Sequence, residues 1–190
     1  MSLTAAQVIE NRRATRKYKD QDISDDVLQR VLDLTCAAPS AFNAQRADVV
    51  AVRDQNIKDA IFAASGQQQH KNAPVVLVFL ARTDVPDDLE TILPAERATW
   101  VGQFFATLDA ASLRETAIKD AMILGSFSLI AAASEGLATS PTTGYDAEAV
   151  RNAIGAPENR AVAFVVALGY PDENPAHPGR QADRQIINHY

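Results

Sequence analysis

Six apolar side chains stand without interruption in Val75-Val76-Leu77-Val78-Phe79-Leu80, directly after Pro74. The run is short and rich in β-branched residues, so it reads as a strand. A strand with no polar alternation is one covered on both faces. Ala161 to Gly169 is a second apolar run of the same kind. A chain built on two such strands needs helices to cover them, and the remaining segments supply helical patterns.

Thr4 suits the N-cap of a short helix reaching about Asn11. Ser24 caps a second helix from Asp25, whose Val27, Leu28, Val31, Leu32 and Leu34 keep helical spacing and which ends before Pro39. Asp48 to Arg53 reads as a strand and Asn56 to Ala64 as a helix. From Thr83 to Ser112 the text is irregular, with Pro86, Pro94, Trp100, Phe104 and Phe105. It predicts a partly helical surface insertion, either a lid over a site or plain packing. Ser112-Leu113-Arg114-Glu115 has capping-box spacing for a helix running to about Glu135. Its second half is apolar on nearly all sides, which marks a core helix or one packed on a second subunit. Gly136-Leu137 ends it, Ser140 to Asp146 reads as a turn-rich loop, and Asp146 caps a short helix to about Ile154. The tail from Pro171 is polar until Ile186-Ile187, a possible last strand lying against the sheet. The order gives a single α+β domain over residues 1–190 with a central sheet.

Charge narrows the function. The 24 acids outnumber the 18 bases, for a net −6, which argues against a general nucleic-acid binder or a ligand for anionic membranes. No apolar run approaches bilayer length, and residues 1–13 lack a signal peptide's apolar core. Cys36 is the one cysteine, at a helix end that looks buried, so no internal disulfide forms. These features predict a soluble cytoplasmic protein.

Against that acidic background, Arg12-Arg13-Ala14-Thr15-Arg16-Lys17-Tyr18 places four cations in six positions. Arginine forks suit a bound anion such as phosphate, while basic residues at a helix end also suit the helix dipole. Other chemistry is missing. No two glycines stand at the spacing of the dinucleotide fingerprint or of the P-loop, which removes both. His70, His177 and His189 are dispersed, without metal-ligand spacing, and His70 beside Lys71 reads as a surface histidine. The acid pairs Asp25-Asp26 and Asp87-Asp88 fall at helix starts and turns. Any enzymatic chemistry then belongs to a cofactor.

The basic stretch resembles the Arg-Arg-Ser-x-Arg-x-Phe/Tyr signature of the nitroreductase family of FMN enzymes. Ala38-Pro39-Ser40-Ala41-Phe42-Asn43-Ala44-Gln45 is similar to that family's Ala-Pro-Ser-x-x-Asn-x-Gln loop. Gly66-Gln67-Gln68-Gln69 before Ala73-Pro74, Gly136-Leu137 with Pro141 to Asp146, and Arg180 before Ile186-Ile187 match further segments in family order. The nearest flavour is the NAD(P)H nitroreductase and quinone reductase branch.

The resemblance implies a mostly antiparallel central sheet flanked by helices, in an intertwined homodimer with FMN at the interface. By position, Arg12, Arg13, Ala14, Arg16 and Arg180 would hold the phosphate and ribityl chain, and Gln67 and Gln69 the ribityl chain or ring edge. Pro39, Ser40 and Asn43 would reach the ring from the other subunit. Pro141, Thr143 and Gly144 would cover its far face, with a backbone N–H near Thr143 or Gly144 directed at flavin N5 and no catalytic side chain. Trp100, Phe104 and Phe105 would line the pocket of a small-molecule acceptor. The implied reaction is ping-pong: NAD(P)H reduces FMN, and a nitroaromatic or quinone then takes the electrons. A specialised flavoenzyme of the same fold, such as a dehalogenase or an enal or semialdehyde reductase, or a non-catalytic FMN-binding module, is the alternative. Three positions depart from the family pattern: Ala14 for serine, Arg46 where proline often follows the glutamine, and Thr143 where glutamate is frequent.

Overall fold

The computed structural model describes residues 4–188, so His189 lies outside the described residues. A four-stranded sheet forms the centre. Its strands are β1 (Ala47–Val52), β2 (Val75–Arg82), β3 (Ala138–Thr142) and β4 (Arg160–Gly169), in the order β1-β2-β4-β3. Every pairing is antiparallel, and β2 and β4 shift register between Phe79 and Leu80. The two apolar runs are therefore the two inner strands.

Both faces of those strands are covered, which is why they carry no polar alternation. Leu77, Phe79, Phe164, Val166 and Leu168 face α2 (Asp25–Cys36) and the long α6 (Ala110–Ser134), where they meet Val31 and Leu124. Val76, Val78, Leu80, Val162 and Val165 face α3 (Gln55–Ser65) and α7 (Ala147–Ala153), against Ile61 and Val150. Burying each of these side chains stabilises the fold by about 1.5–3 kcal/mol. Gly125 lets α6 lie close on β4, since a Cβ there would run into the Phe164 ring.

The helix ends follow the expected chemistry, with one difference. Thr4 forms a full capping box on α1 (Ala5–Asn11), and Ser24 and Asp146 cap α2 and α7. Helix α6 starts earlier than expected. Asp109 is its cap, accepting the Ser112 N–H at 2.7 Å, so Ser112 falls inside the first turn and not at the cap.

Other expectations change more. Residues 138–142 form edge strand β3, which takes in Ser140, Pro141 and Thr142 of the expected turn-rich loop; Pro141 is tolerated there because an edge leaves one side of the strand unpaired. Between 83 and 112 the chain is mostly helix: α5 (Ala95–Ala106) packs Ala98, Val101 and Phe105 on Leu89, Leu93 and Leu113 in a separate small core. Ile186 and Ile187 form no strand and are exposed at 51% and 86%. Cys36 is exposed at the end of α2. By length and composition α6 could cross a bilayer, contrary to the expectation for this sequence. Its apolar character is that of a helix laid over a sheet, with Leu113, Ala117, Ala121 and Leu124 turned inward.

Candidate functional site

The basic stretch runs extended along one edge of the sheet. Ala14 bridges Thr139 at the start of β3, and the Thr15 N–H donates to the Thr139 carbonyl at 3.0 Å. Tyr18 bridges Pro171 just past β4, and its hydroxyl donates to the carbonyls of Thr15 and Ala167 at 2.7 and 3.2 Å. Gly169 makes room for that ring, because a Cβ there would sit 2.8 Å from Tyr18 Cδ1. Glu173 accepts the Arg16 and Lys17 N–H groups at 2.6 and 3.2 Å, tying the tail to the same stretch.

This routing brings Arg180 close to Arg12. Burial depresses the Arg12 guanidinium pKa, and the neighbouring charges of Arg180 and Arg13 depress it further. Arg12 Nη1 is buried without a hydrogen-bond partner, and among the described residues no carboxylate pairs with Arg12, Arg13, Arg16 or Arg180. Mutually repelling cations with an unused buried donor are an arrangement that a bound anion would neutralise. Arg13 is partly spoken for: its Nη1 donates to the carbonyls of Glu10 and Arg12, the helix-end role open to any basic residue there. Arg12 and Arg13 also line a cleft of about 230 Å³ that takes in Val8, Gly136 and Pro171.

The glutamines join this edge from the other side of β3. Gly66 ends α3 at φ 66°, and Gln67 precedes the short α4 (Gln68–Asn72). The Gln69 amide donates to Gln67 Oε1 at 3.0 Å and to Ser140 Oγ at 3.3 Å. The Asp146 N–H donates to the Ala64 carbonyl, drawing the 143–146 turn onto the end of α3. Gln67 and a buried Gln69 are thus tied to Ser140, next to Pro141, and the turn with Thr143 and Gly144 follows that strand. Thr143 and Gly144 are exposed. Thr139 Oγ1, beside Ala14, is buried with no partner.

Pro39, Ser40 and Asn43 are elsewhere. Their loop sits over Asp120 on α6, whereas Ala133 of the same helix lines the arginine cleft. Those two positions are about 20 Å apart at 1.5 Å rise per residue, so one chain does not unite this loop with the arginines. The loop is unusual: Phe42, Asn43 and Gln45 all have positive φ, at 57°, 58° and 48°. Phe42 packs edge-on against Trp100, Phe104 and Phe105, with centroids 5.4, 5.2 and 6.0 Å away. Loop and α5 are therefore one unit. Trp100 and Phe104 present ring surface, at 55% and 38% exposure, but Phe105 is buried and carries the Arg46 guanidinium 4.5 Å above its ring.

Residues outside the sequence expectations also matter. Arg46 is fully buried and donates to Thr116 Oγ1 and to the carbonyls of Arg82, Asp84 and Leu113. His70, expected at the surface, is fully buried; its Nδ1 is 2.8 Å from Ser65 Oγ, which also receives the Gln67 N–H. Asp120 falls on the inward stripe of α6, and a charge at that spacing is the signal that would have revealed it. Glu173 left no such signal, since its partners are set only by chain routing.

Fold and site together define an α+β protein with a cluster of arginines at the sheet's edge. The chain belongs to the nitroreductase family, whose profile matches residues 9–170. It is 34% identical over 180 residues to a protein of Thermus thermophilus named NADH dehydrogenase, covering 87% of each chain. It is also similar to nitroreductase A of Vibrio parahaemolyticus, with 26% identity and a TM-score of 0.82, over 100% of this chain and 78% of that one. A protein of Exiguobacterium sibiricum solved in complex with FMN has the same fold, with a TM-score of 0.90 at 18% identity over 100% and 99% of the two chains.

Proposed function

We propose that this protein is a homodimeric, FMN-dependent NAD(P)H oxidoreductase that reduces nitroaromatic or quinone-type acceptors in two half-reactions. The observation that carries the reading is the unneutralised pair Arg12 and Arg180, with a buried donor of Arg12 unused. A phosphate monoester supplies the missing charge and accepts from both forks, each charge-assisted bond contributing about 1.5–3 kcal/mol. Arg16 and the small Ala14 complete that end, with Thr139 Oγ1 available in place of a hydroxyl at position 14. Gln67 and Gln69 serve the ribityl chain, and Pro141, Thr143 and Gly144 lie along one face of the ring.

The loop carrying Pro39, Ser40 and Asn43 is too far along α6 to serve its own chain's site, which is why a second copy belongs to the proposal. That copy brings Trp100 and Phe104 with the loop, because Phe42 joins them, and the 83–112 segment then borders the acceptor. When bound, FMN would supply the hydride-transfer chemistry between NAD(P)H and the acceptor. The chain's residues anchor, orient and exclude water, and no side chain need carry a proton. A reducing cytoplasmic setting agrees with the single cysteine.

Absorption spectra of the purified protein, before and after anaerobic NADH or NADPH, test this reading. A yellow protein that bleaches and recovers with a quinone or nitroarene is the expected result. Arg12→Ala with Arg180→Ala should lose FMN while keeping its fold. A colourless protein that takes up no added FMN ends the proposal; a yellow one that never bleaches moves it to a flavin-binding module.

A further inference from the structure

Asp120 is a charged side chain in a row of alanines and leucines. It lies on the inward stripe of α6 with Ala117, Ala121 and Leu124, at 5% exposure. Burying a carboxylate is unfavourable unless it is well paired, and an alanine would fill this helix position without that cost. Its Oδ1 accepts the Ala41 N–H at 3.1 Å, while Oδ2 has no partner. The side chain lines a small cavity of about 60 Å³ beneath Pro39, Ser40 and Gln45.

What lies above it is strained. Three non-glycine residues have positive φ within four positions, and such backbone persists only where its surroundings over-determine it. The anchors are few. Ser40 Oγ accepts the Gln45 N–H at 3.0 Å, and Phe42 sits in the aromatic cluster of α5. Arg46 grips α6 at Leu113 and Thr116. Thr116 and Asp120 are four residues apart and share a helix face. Residues 41 and 46, at the two ends of the strained stretch, are thus held to one face of α6 by opposite charges. Burial raises the Asp120 pKa, while the Ala41 N–H and the Arg46 charge draw it down.

We propose that Asp120 is a positioning residue, which sets the 38–45 loop, and with it Pro39, Ser40 and Asn43, against the ring bound by the partner subunit. It touches neither cofactor nor acceptor. The inference rests on the FMN reading above, but its first readout does not. In flavin-free protein, the Ala41 amide should exchange slowly in the wild type and in Asp120→Asn, whose side-chain oxygen still accepts, and at least about tenfold faster in Asp120→Ala. In loaded protein, Asp120→Ala should keep its FMN Kd within about threefold, because the phosphate anchor is remote. Its visible flavin circular dichroism should change, and its acceptor KM should rise about tenfold with little change in the rate of bleaching by NADH. Asp120→Asn should restore each of these. Wild-type Ala41 exchange and flavin dichroism in Asp120→Ala overturn the proposal, as does an asparagine variant as defective as the alanine one. If Asp120→Ala does not fold, Ala41→Pro removes the same bond from the exposed loop side and must reproduce the effect. A wild type that binds no FMN sinks the flavin reading alone, and Ala41 exchange still decides the role of Asp120.

Discussion

His70 carries its ring in the core with no charged neighbour, and burial alone takes its pKa from 6.5 down to about 4. The folded state holds the neutral ring and the unfolded chain binds the proton more readily. The stabilising term is therefore complete above pH 6.5 and is lost as pH falls from there through about 4. Its full size is roughly 3 kcal/mol, from 1.36 kcal/mol per unit. Urea denaturation at pH 7 and pH 4.5 should show His70→Leu losing less stability between the two pH values than the wild type. Equal losses would mean that His70 is not the acid-sensitive group. Arg12 and Arg46 are the other costly residues, and they differ in kind. Arg46 donates to four protein acceptors from its Nη atoms, leaves its buried Nε unpaired and is structural, whereas Arg12 leaves a buried Nη1 without a partner beside the like charge of Arg180 and is the better mark of a ligand.

Among the elements, α6 does most of the organising. It covers one face of the sheet, holds the 38–45 loop at its first half and borders the arginine cleft at its last turns. Its contact with β4 depends on Gly125. Gly125→Ala gains up to about 1 kcal/mol of helix propensity. It also forces a methyl into the Phe164 ring, at a cost of about 1–3 kcal/mol. The net change should be a destabilisation of up to about 2 kcal/mol, read by thermal or urea unfolding. In a double-mutant cycle, Phe164→Leu should relieve the cost, since the smaller side chain vacates the clash. Additive effects would show that the close approach is not what selects glycine. Helix α6 was legible from its apolar text, as were β2, β4 and the capped starts of α1, α2 and α7. Strand β3 was not. Its Ser140, Pro141 and Thr142 have turn propensity, and only pairing with β4 makes them a strand.

For the whole molecule, the open question is what covers Leu34, Ile123 and Phe127, exposed at 47%, 40% and 40% on α2 and α6. A second copy would cover them and would also bring the 38–45 loop to the arginine site. Size-exclusion chromatography with light scattering should find a dimer, and Phe127→Glu should give a folded monomer that retains little FMN. A monomeric wild type with a full complement of flavin would refute this. Ile186 and Ile187 do not lie on their own sheet, and the intertwined arrangement implied by the family is the one that would bury them.

The sequence by itself determined the two inner strands, most helix starts, the arginine cluster and the family, because hydrophobic runs, caps and charge clusters are encoded within a few neighbouring residues. Only the tertiary structure decided that Arg180 repels Arg12, that Asp120 lies under Ala41 and that His70 is dry. Each of those facts depends on contacts made across the chain, where burial and partners are properties of packing and not of local spacing.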